Sequence, residues 1–256
     1  MRKLLLGSVA LFALSVGSPA VAADMPVKAR PAPPPPIYNW SGCYFGGFVG
    51  YATGRTDVHY GTTTPDIFPF VGGSQATDDI HLSGATGGFN GGCQYQAGWW
   101  LIGVEVDGSA LNKSGQRNEY FPFQNFIVDV KETWLATARL RLGLTWDKWL
   151  FYVTGGGAWA RFDVANWLIT TPAIATHDVQ TRSGWVVGVG TEYALGYGWS
   201  LKSEFLYVEF ERARYLPLPN VTEADFDIRV RNFISRVGLN YKFDWGKAPV
   251  AVMAKY

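Results

Sequence analysis

Hydrophobic and polar side chains alternate with a period of two in the stretch WLATARLRLGLTW, from Trp134 to Trp146. Its even positions carry Trp, Ala and Leu, whereas its odd positions include Arg139 and Arg141. Successive side chains of a β-strand point to opposite faces, while a helical spacing would put the arginines on the same face as leucines. The stretch is therefore predicted to be a strand with one apolar and one polar face, as in a soluble sandwich or in a membrane barrel.

The same period predicts eight strands along the chain. Their approximate ranges are 42–53, 82–97, 100–111, 129–146, 149–163, 181–195, 199–210 and 228–243. The connections between them alternate between long polar segments and short turns, so all the long segments fall at one end. The long connections are 54–81, 112–128, 164–180 and 211–227, and the short turns are 98–99, 147–148 and 196–198. A sandwich has no reason to show this alternation, whereas an up-and-down barrel accommodates it directly.

The short turns relate the faces of neighbouring strands, because a tight hairpin pairs the residues on either side of the loop on one face. The predicted pairs are Ala97 with Trp100, Trp146 with Trp149, and Leu195 with Trp199. The apolar face is then continuous around the sheet and carries rings near both ends of the strands. We expect an aromatic girdle made of Trp100, Trp134, Trp146, Trp149, Trp159, Trp185, Trp199 and Phe243.

The opposite face collects charged residues, with many glycines between them. Its ionic members are Glu105, Asp107, Arg139, Arg141, Glu192, Lys202, Glu204, Arg236 and Lys242. Glycines weaken exposed strands, but they leave room for long side chains inside a narrow cylinder. Four acids then face five bases, and because unpaired charges in a narrow lumen are costly, we expect them to pair and to fill it. An ion pathway through the same charges is the alternative.

The strand length fits a bilayer. Trp134 and Trp146 lie twelve residue steps apart, which is about 41 Å along a strand and about 31 Å across a membrane at a tilt of about 40°. These positions bracket the apolar band of about 25 Å that outer-membrane barrels show. The predicted fold class is therefore all-β, an eight-stranded antiparallel up-and-down transmembrane barrel. A soluble lipocalin-like barrel would need an apolar interior, and the girdle argues against it.

The N-terminus predicts export. Arg2 and Lys3 precede an apolar run too short to span a bilayer, and an A-x-A cleavage signal follows at 20–22. We expect a signal peptide over 1–23, a proline-rich periplasmic linker over 24–39, the barrel over 40–245 and a tail over 246–256. Removing the signal leaves 20 basic against 21 acidic residues, so nothing in the charge points to a nucleic-acid partner.

Few other residues suggest chemistry. Cys43 and Cys93 face outward near the short turns, as a disulfide or as two inert thiols. His59, His81 and His177 fall in the long connections. The stretch DDIH at 78–81 is interpreted as a solvated loop in preference to an acid–base group, and no metal-spaced cluster or phosphate loop is found. We expect no enzyme activity, no metal and no cofactor.

The long connections contain aromatic clusters, IFPF at 67–70 and YFPFQNF at 120–126. Such clusters suit two roles. They can bind a ligand or a surface partner, or they can pack against neighbouring loops and lipopolysaccharide headgroups. Packing is the interpretation that we favour.

Three stretches carry a resemblance to a known family. They are NWSGCYFGGFVGYATG at 39–54, YVTGGGAWA at 152–160 and SRVGLNYKFDW at 235–245. With these stretches the chain resembles the small outer-membrane β-barrel proteins of alpha-proteobacterial type, often called porin-family or OmpA-like barrel proteins. The resemblance implies a location in the cell outer membrane and a chain end with an aromatic residue that the barrel-insertion machinery reads. That residue is either Phe243, followed by a periplasmic tail, or Tyr256.

The resemblance is informative about fold and location and much less so about activity. It implies a structural or surface role in the cell envelope, with a narrow porin-like channel for ions or small solutes as the alternative. The partners that we expect are outer-membrane lipid and lipopolysaccharide, the insertion machinery during biogenesis, and partners on the peptidoglycan side or at the surface.

Overall fold

The computed structural model describes residues 38–60, 75, 80–118, 126–168, 171–215 and 226–243. The predicted signal peptide, most of the predicted linker, the aromatic clusters up to residue 125 and the predicted tail lie outside the described residues. Among the described residues, no helix has the length and apolar character that crossing a bilayer requires.

The described residues form one closed antiparallel sheet. Its strands are β1 (Gly42–Tyr60), β2 (Ile80–Ala97), β3 (Trp100–Asn118), β4 (Phe126–Trp146), β5 (Trp149–Leu168), β6 (Thr171–Gly196), β7 (Trp199–Phe210), β8 (Ala213–Tyr215) and β9 (Phe226–Phe243). Strands β1 to β7 pair in chain order, and β9 pairs with β7 and returns to β1. The short β8 continues β7 along the same neighbour, β9, so both belong to one of eight barrel strands. The predicted eight-stranded antiparallel barrel is confirmed.

The two faces of the wall are inverted relative to a soluble protein. On β4, the side chain of Leu140 is 62 % exposed, whereas its neighbour Arg139 is 3 % exposed. On β6, Val187 is 46 % exposed and Glu192 is 2 % exposed. The soluble sandwich and the lipocalin-like barrel are therefore wrong, because the apolar belt faces outward and the charges are enclosed.

Aromatic side chains mark both edges of this outward apolar belt. We call the edge with the short turns the turn end and the opposite edge the loop end. The expected girdle residues at the turn end are Trp100, Trp146, Trp149, Trp199 and Phe243, and those at the loop end are Trp134, Trp159 and Trp185. Beyond the loop-end rings the outward positions turn polar, as in Arg161 after Trp159. The outer wall thus has the banding that a bilayer requires.

The strands continue past the girdle at the loop end, where the sequence pattern predicts loops. The predicted connection 164–180 is wrong, because β5 runs to Leu168 and β6 begins at Thr171. For the same reason His59, His81 and His177 lie in β1, β2 and β6 rather than in loops. Beyond the apolar belt the outward face is polar, so the hydrophobic contrast that reveals a membrane strand fades while the backbone pairing continues.

The short turns have the predicted pairing in two cases of three. Ala97 pairs with Trp100, and Trp146 pairs with Trp149. The third prediction is wrong, since Trp199 pairs with Gly196 and not with Leu195. Gly196 and Gly198 both adopt positive φ, at 103° and 85°, which glycine tolerates without strain. The loop between the paired residues therefore has only two residues. The register shifts between Ala194 and Gly196, so Leu195 has no partner on β7.

Candidate functional site

Charged side chains from five strands meet in the middle of the lumen. They are Glu105 and Asp107 on β3, Arg139 and Arg141 on β4, Glu192 on β6, Lys202 and Glu204 on β7, and Arg236 on β9. We call this set the ionic network. Every member is at most 6 % exposed. Four carboxylates face four cations, so the formal charge of the network is zero.

Glu105 lies at the centre of the ionic network. Lys202, on the far side of the lumen, donates through Nζ to both of its carboxylate oxygens at 2.7 Å. Arg139 and Arg141, on the neighbouring strand, each donate to one oxygen, with 3.2 Å between Arg141 Nη1 and Oε2. The Tyr44 hydroxyl donates to Oε2 at 2.6 Å. The buried carboxylate therefore has donors on both oxygens and from both walls of the barrel.

A second set of pairs joins the same two walls nearer the loop end. Arg139 Nη1 donates to Glu204 Oε1 at 2.9 Å, and Arg139 Nη2 donates to Asp107 Oδ2 at 2.9 Å. Arg236 donates through Nη1 to Asp107 Oδ1 at 2.9 Å and through Nε to Glu204 Oε2 at 2.6 Å. The forked guanidinium suits such shared carboxylate contacts better than a lysine would. The pairs close a ring of charges across the lumen.

Arg141 completes the ionic network toward the turn end. Its Nη2 donates to Glu192 Oε1 at 2.5 Å, and its guanidinium carbon lies 3.9 Å from the centroid of the Tyr152 ring. The Tyr152 hydroxyl donates to Glu204 Oε1 at 3.0 Å. Cation–π contact and charge-assisted hydrogen bonding both strengthen where water is excluded. Tyr44 and Tyr152 thus contact the ionic network. The alternation places Tyr152 on the polar face with these charges, but it does not predict either contact, because tyrosine occurs on both faces of the wall.

Two inward glycines make room for these tyrosines. A Cβ atom on Gly190 would overlap the ring of Tyr152, and one on Gly92 would lie 2.7 Å from the hydroxyl oxygen of Tyr44. Real Cβ atoms do not approach other atoms so closely. At these two positions the wall glycines leave space for long side chains, as the sequence predicts.

An apolar cluster lies in the lumen at the turn end. Trp40, which precedes β1, is 1 % exposed and packs with Leu101, Leu150, Tyr152 and Ala194. Its backbone N–H donates to Gln96 Oε1 at 2.8 Å, and its carbonyl accepts a bond from Gln94 Nε2 at 2.9 Å. The chain just before the first strand is thereby fixed inside the barrel mouth. The strand pattern does not predict this, because Trp40 lies outside every alternating stretch.

A second apolar layer lies in the lumen at the loop end. Its larger members are Val58, Ile80, Leu82, Leu111, Val130, Leu135, Phe162, Val164, Val186, Leu206, Val208, Phe210, Ile228, Val230 and Ile234. Within this half, Lys113 Nζ contacts Glu132 Oε2 at 2.8 Å and Asn232 Oδ1 at 2.5 Å. The alternation of hydrophobic and polar residues predicts a polar lumen throughout, and it predicts neither the apolar layer nor the Lys113 contacts. The sequence of β7 does indicate an apolar layer, because Leu206 lies on the same inward face as Glu204.

Lys242, the ninth ionic residue expected in the lumen, belongs to the turn end instead. It is half-buried, its Nζ donates to the carbonyl of Asn39, and it lies 4.7 Å from the centroid of the Tyr38 ring. Its position near the end of β9, beside the chain that enters β1, explains the difference. Without it the predicted five bases become four, and the ionic network is balanced.

Cys43 and Cys93 form a disulfide bond on the outer wall. They are opposite residues of β1 and β2, with 4.0 Å between their Cα atoms. The structure thus favours the bonded alternative over two inert thiols. In the part of the chain that the structure describes, no group of three or more His, Cys, Asp or Glu residues is arranged to hold a metal ion.

Comparisons with known proteins agree with this geometry. Residues 8–243 match a family model described as the outer membrane protein beta-barrel domain. The chain is 32 % identical to the 31 kDa outer-membrane immunogenic proteins of Brucella melitensis and Brucella suis, over 95 % of this chain and 100 % of each relative. The crystal structure of the outer membrane protein OprG from Pseudomonas aeruginosa matches with a TM-score of 0.51 and 18 % identity, over 81 % of this chain and 99 % of that chain. The last match concerns the fold alone.

Proposed function

The chain belongs to the outer membrane protein β-barrel family, and from that premise we propose that it is a non-enzymatic structural barrel of the outer membrane. In this proposal the lumen stays closed, and the loop end is presented at the cell surface. The observation that carries it is the neutral ionic network between two apolar layers of the lumen.

The energetics of the ionic network support a closed lumen. A permeating ion must displace at least one buried carboxylate–cation pair, and leaving one partner of such a pair uncompensated costs about 3–5 kcal/mol. The pairs share partners, because Glu105 contacts Lys202, Arg139 and Arg141 at once. Several contacts must therefore break together. The apolar layers add a second barrier, since ions do not enter a dry hydrocarbon constriction readily.

The outer wall supports presentation at the surface. Beyond the loop-end girdle many outward positions of the extended strands are polar or charged, and several of the charged residues form ion pairs, such as Arg231 with Asp57 at 2.6 Å and Lys131 with Asp129 at 3.3 Å. Such rows are suited to water and not to hydrocarbon. The two relatives are named as immunogenic outer-membrane proteins, which is what a protruding barrel end would produce. An antibody against residues 61–74 is expected to bind intact cells, whereas a tag at the turn 147–148 should need permeabilised cells; the reverse pattern would contradict this orientation.

Planar-bilayer recording of the purified full chain tests the closed lumen. We expect no stable conductance steps from the native protein. Steps are expected from the double variant Glu105→Ala and Arg139→Ala, which removes two side chains from the ionic network. The control is Asp129→Ala with Lys131→Ala, an ion pair on the outer wall. Stable steps from the native chain that change on Arg139→Ala would replace the proposal with the narrow channel for ions or small solutes.

A further inference from the structure

A row of basic side chains crosses three neighbouring strands just beyond the loop-end girdle. Arg231 on β9, Arg55 on β1 and His81 on β2 are directly opposite one another in the sheet register. All three face outward, as do Phe233 and Thr53 one step nearer the bilayer. The basic row therefore lies at the level where the outer wall changes from apolar to charged.

Two guanidinium groups of this row face each other, and wall carboxylates lie beside one of them. Like charges on directly opposite residues destabilise a sheet, and Arg55 faces Arg231. Asp57 accepts from Arg231 Nη2 at 2.6 Å. A second carboxylate, Glu209 on β7, is directly opposite Arg231, lies 3.7 Å from Arg229 and accepts from the Tyr207 hydroxyl. Among the described residues no ion pair joins a carboxylate to Arg55, whose side chain is exposed.

A recess of about 510 Å³ lies on the outer wall at this row. Arg55, His81 and Arg231 line it, together with the rings of Tyr207 and Phe233. The small side chain of Thr53 lies between the ring of Phe233 on one strand and Ser83 on the other, which leaves space there. The recess is thus cationic toward the loop end and aromatic toward the apolar belt.

We propose that this recess binds the phosphate of an outer-leaflet lipid headgroup. The two guanidinium groups are suited to forked contacts with phosphate oxygens, and the imidazole N–H adds a donor. The rings of Tyr207 and Phe233 contact the acyl part of the same molecule, as interfacial aromatic residues do. A lipid can contact both the cationic and the aromatic part of the recess, whereas a free anion can contact only the cationic part. The inference rests on the membrane placement of the barrel and does not depend on whether the lumen conducts.

Native mass spectrometry of the detergent-solubilised full chain tests the site, with lipid A, dephosphorylated lipid A and inorganic phosphate as probes. We expect lipid A to bind, and dephosphorylated lipid A to bind about tenfold more weakly or worse. The variant Arg55→Gln with Arg231→Gln should lose about as much affinity for lipid A. Inorganic phosphate should not displace the lipid.

The matched control is Lys131→Gln with Arg161→Gln, which removes two outward charges from the loop-end parts of other strands. It should bind lipid A as the native chain does. The milder variant Arg55→Lys keeps the charge but loses the forked donor, so it should weaken binding even if the double variant fails to fold. Equal losses in the control, equal binding of dephosphorylated lipid, no loss in Arg55→Lys, or displacement by inorganic phosphate would each overturn the proposal. A native barrel that conducts yet keeps this lipid preference would refute only the closed lumen.

Discussion

Replacing Glu105 with Gln tests the ionic network at its centre. Gln keeps the shape of the side chain but removes its charge, so that three carboxylates remain against four cations. Lys202→Met removes the cation that donates to both oxygens of Glu105 at 2.7 Å. The double variant restores neutrality. The two side chains come from opposite walls of the barrel, so their coupling reports on packing across the lumen.

The expected magnitudes follow from the burial of both partners, since their side chains are at most 3 % exposed. Removing one partner of a buried pair leaves the other uncompensated, which costs about 3–5 kcal/mol. Each single variant should therefore lower the free energy of unfolding by about that amount. The double variant should cost clearly less than the sum of the two singles, with a coupling of about 2–3 kcal/mol.

Urea unfolding of the full chain in lipid vesicles, followed by tryptophan fluorescence, measures these free energies. Heat-modifiable migration in detergent gels checks that each variant folds. The control is Glu209→Gln, which removes the same charge from a partly exposed pair outside the lumen and should cost less than about 1 kcal/mol. A double variant whose loss equals the sum of the singles would refute the argument, because the two charges would then be independent.

Two further predictions concern the wall. Gly190→Ala should lower the free energy of unfolding by about 1–3 kcal/mol, because its Cβ overlaps the Tyr152 ring, whereas Gly155→Ala, whose Cβ finds only ordinary contacts, should be nearly neutral in the same urea assay. Reducing the bond between Cys43 and Cys93, which are 50 residues apart in sequence, should lower stability by about 4 kcal/mol; identical urea midpoints with and without reductant would show that the bond adds nothing.

Much of the fold could be predicted from the sequence because a membrane barrel needs hydrophobic residues on one face and polar residues on the other, which makes the period of two pronounced. On β4 the alternation of Leu140 and Leu142 with Arg139 and Arg141 sorts every residue to one face. Two of the short turns fix the pairing between strands, since a two-residue loop leaves a hairpin little freedom in register. The members of the ionic network follow from these two constraints, with Lys242 as the exception.

What the sequence could not predict depends on three-dimensional placement. The contact between Glu105 and Lys202 requires knowledge of how strands on opposite walls are staggered, and no local pattern encodes that stagger. A register shift between Glu132 and Trp134 brings both Glu132 and Leu135 to the inward face, and a strict period of two cannot accommodate it. The apolar layer at the loop end is not predicted, because hydrophobic residues in a membrane strand are expected on the lipid-facing side.

The bond between Cys43 and Cys93 has a consequence for errors in assembly. If β1 slipped by one residue against β2, Phe45 and Val49 would turn into the lumen while Tyr44 and Phe48 would turn to the hydrocarbon, because one step reverses every side chain. The flanking glycines of both strands offer little steric resistance to such a mistake. The covalent link excludes every slipped hairpin once it has formed. Once the bond has formed, the lumen-facing and lipid-facing sides of β1 are fixed. The last strand, β9, therefore pairs with a β1 edge that is already in the correct orientation.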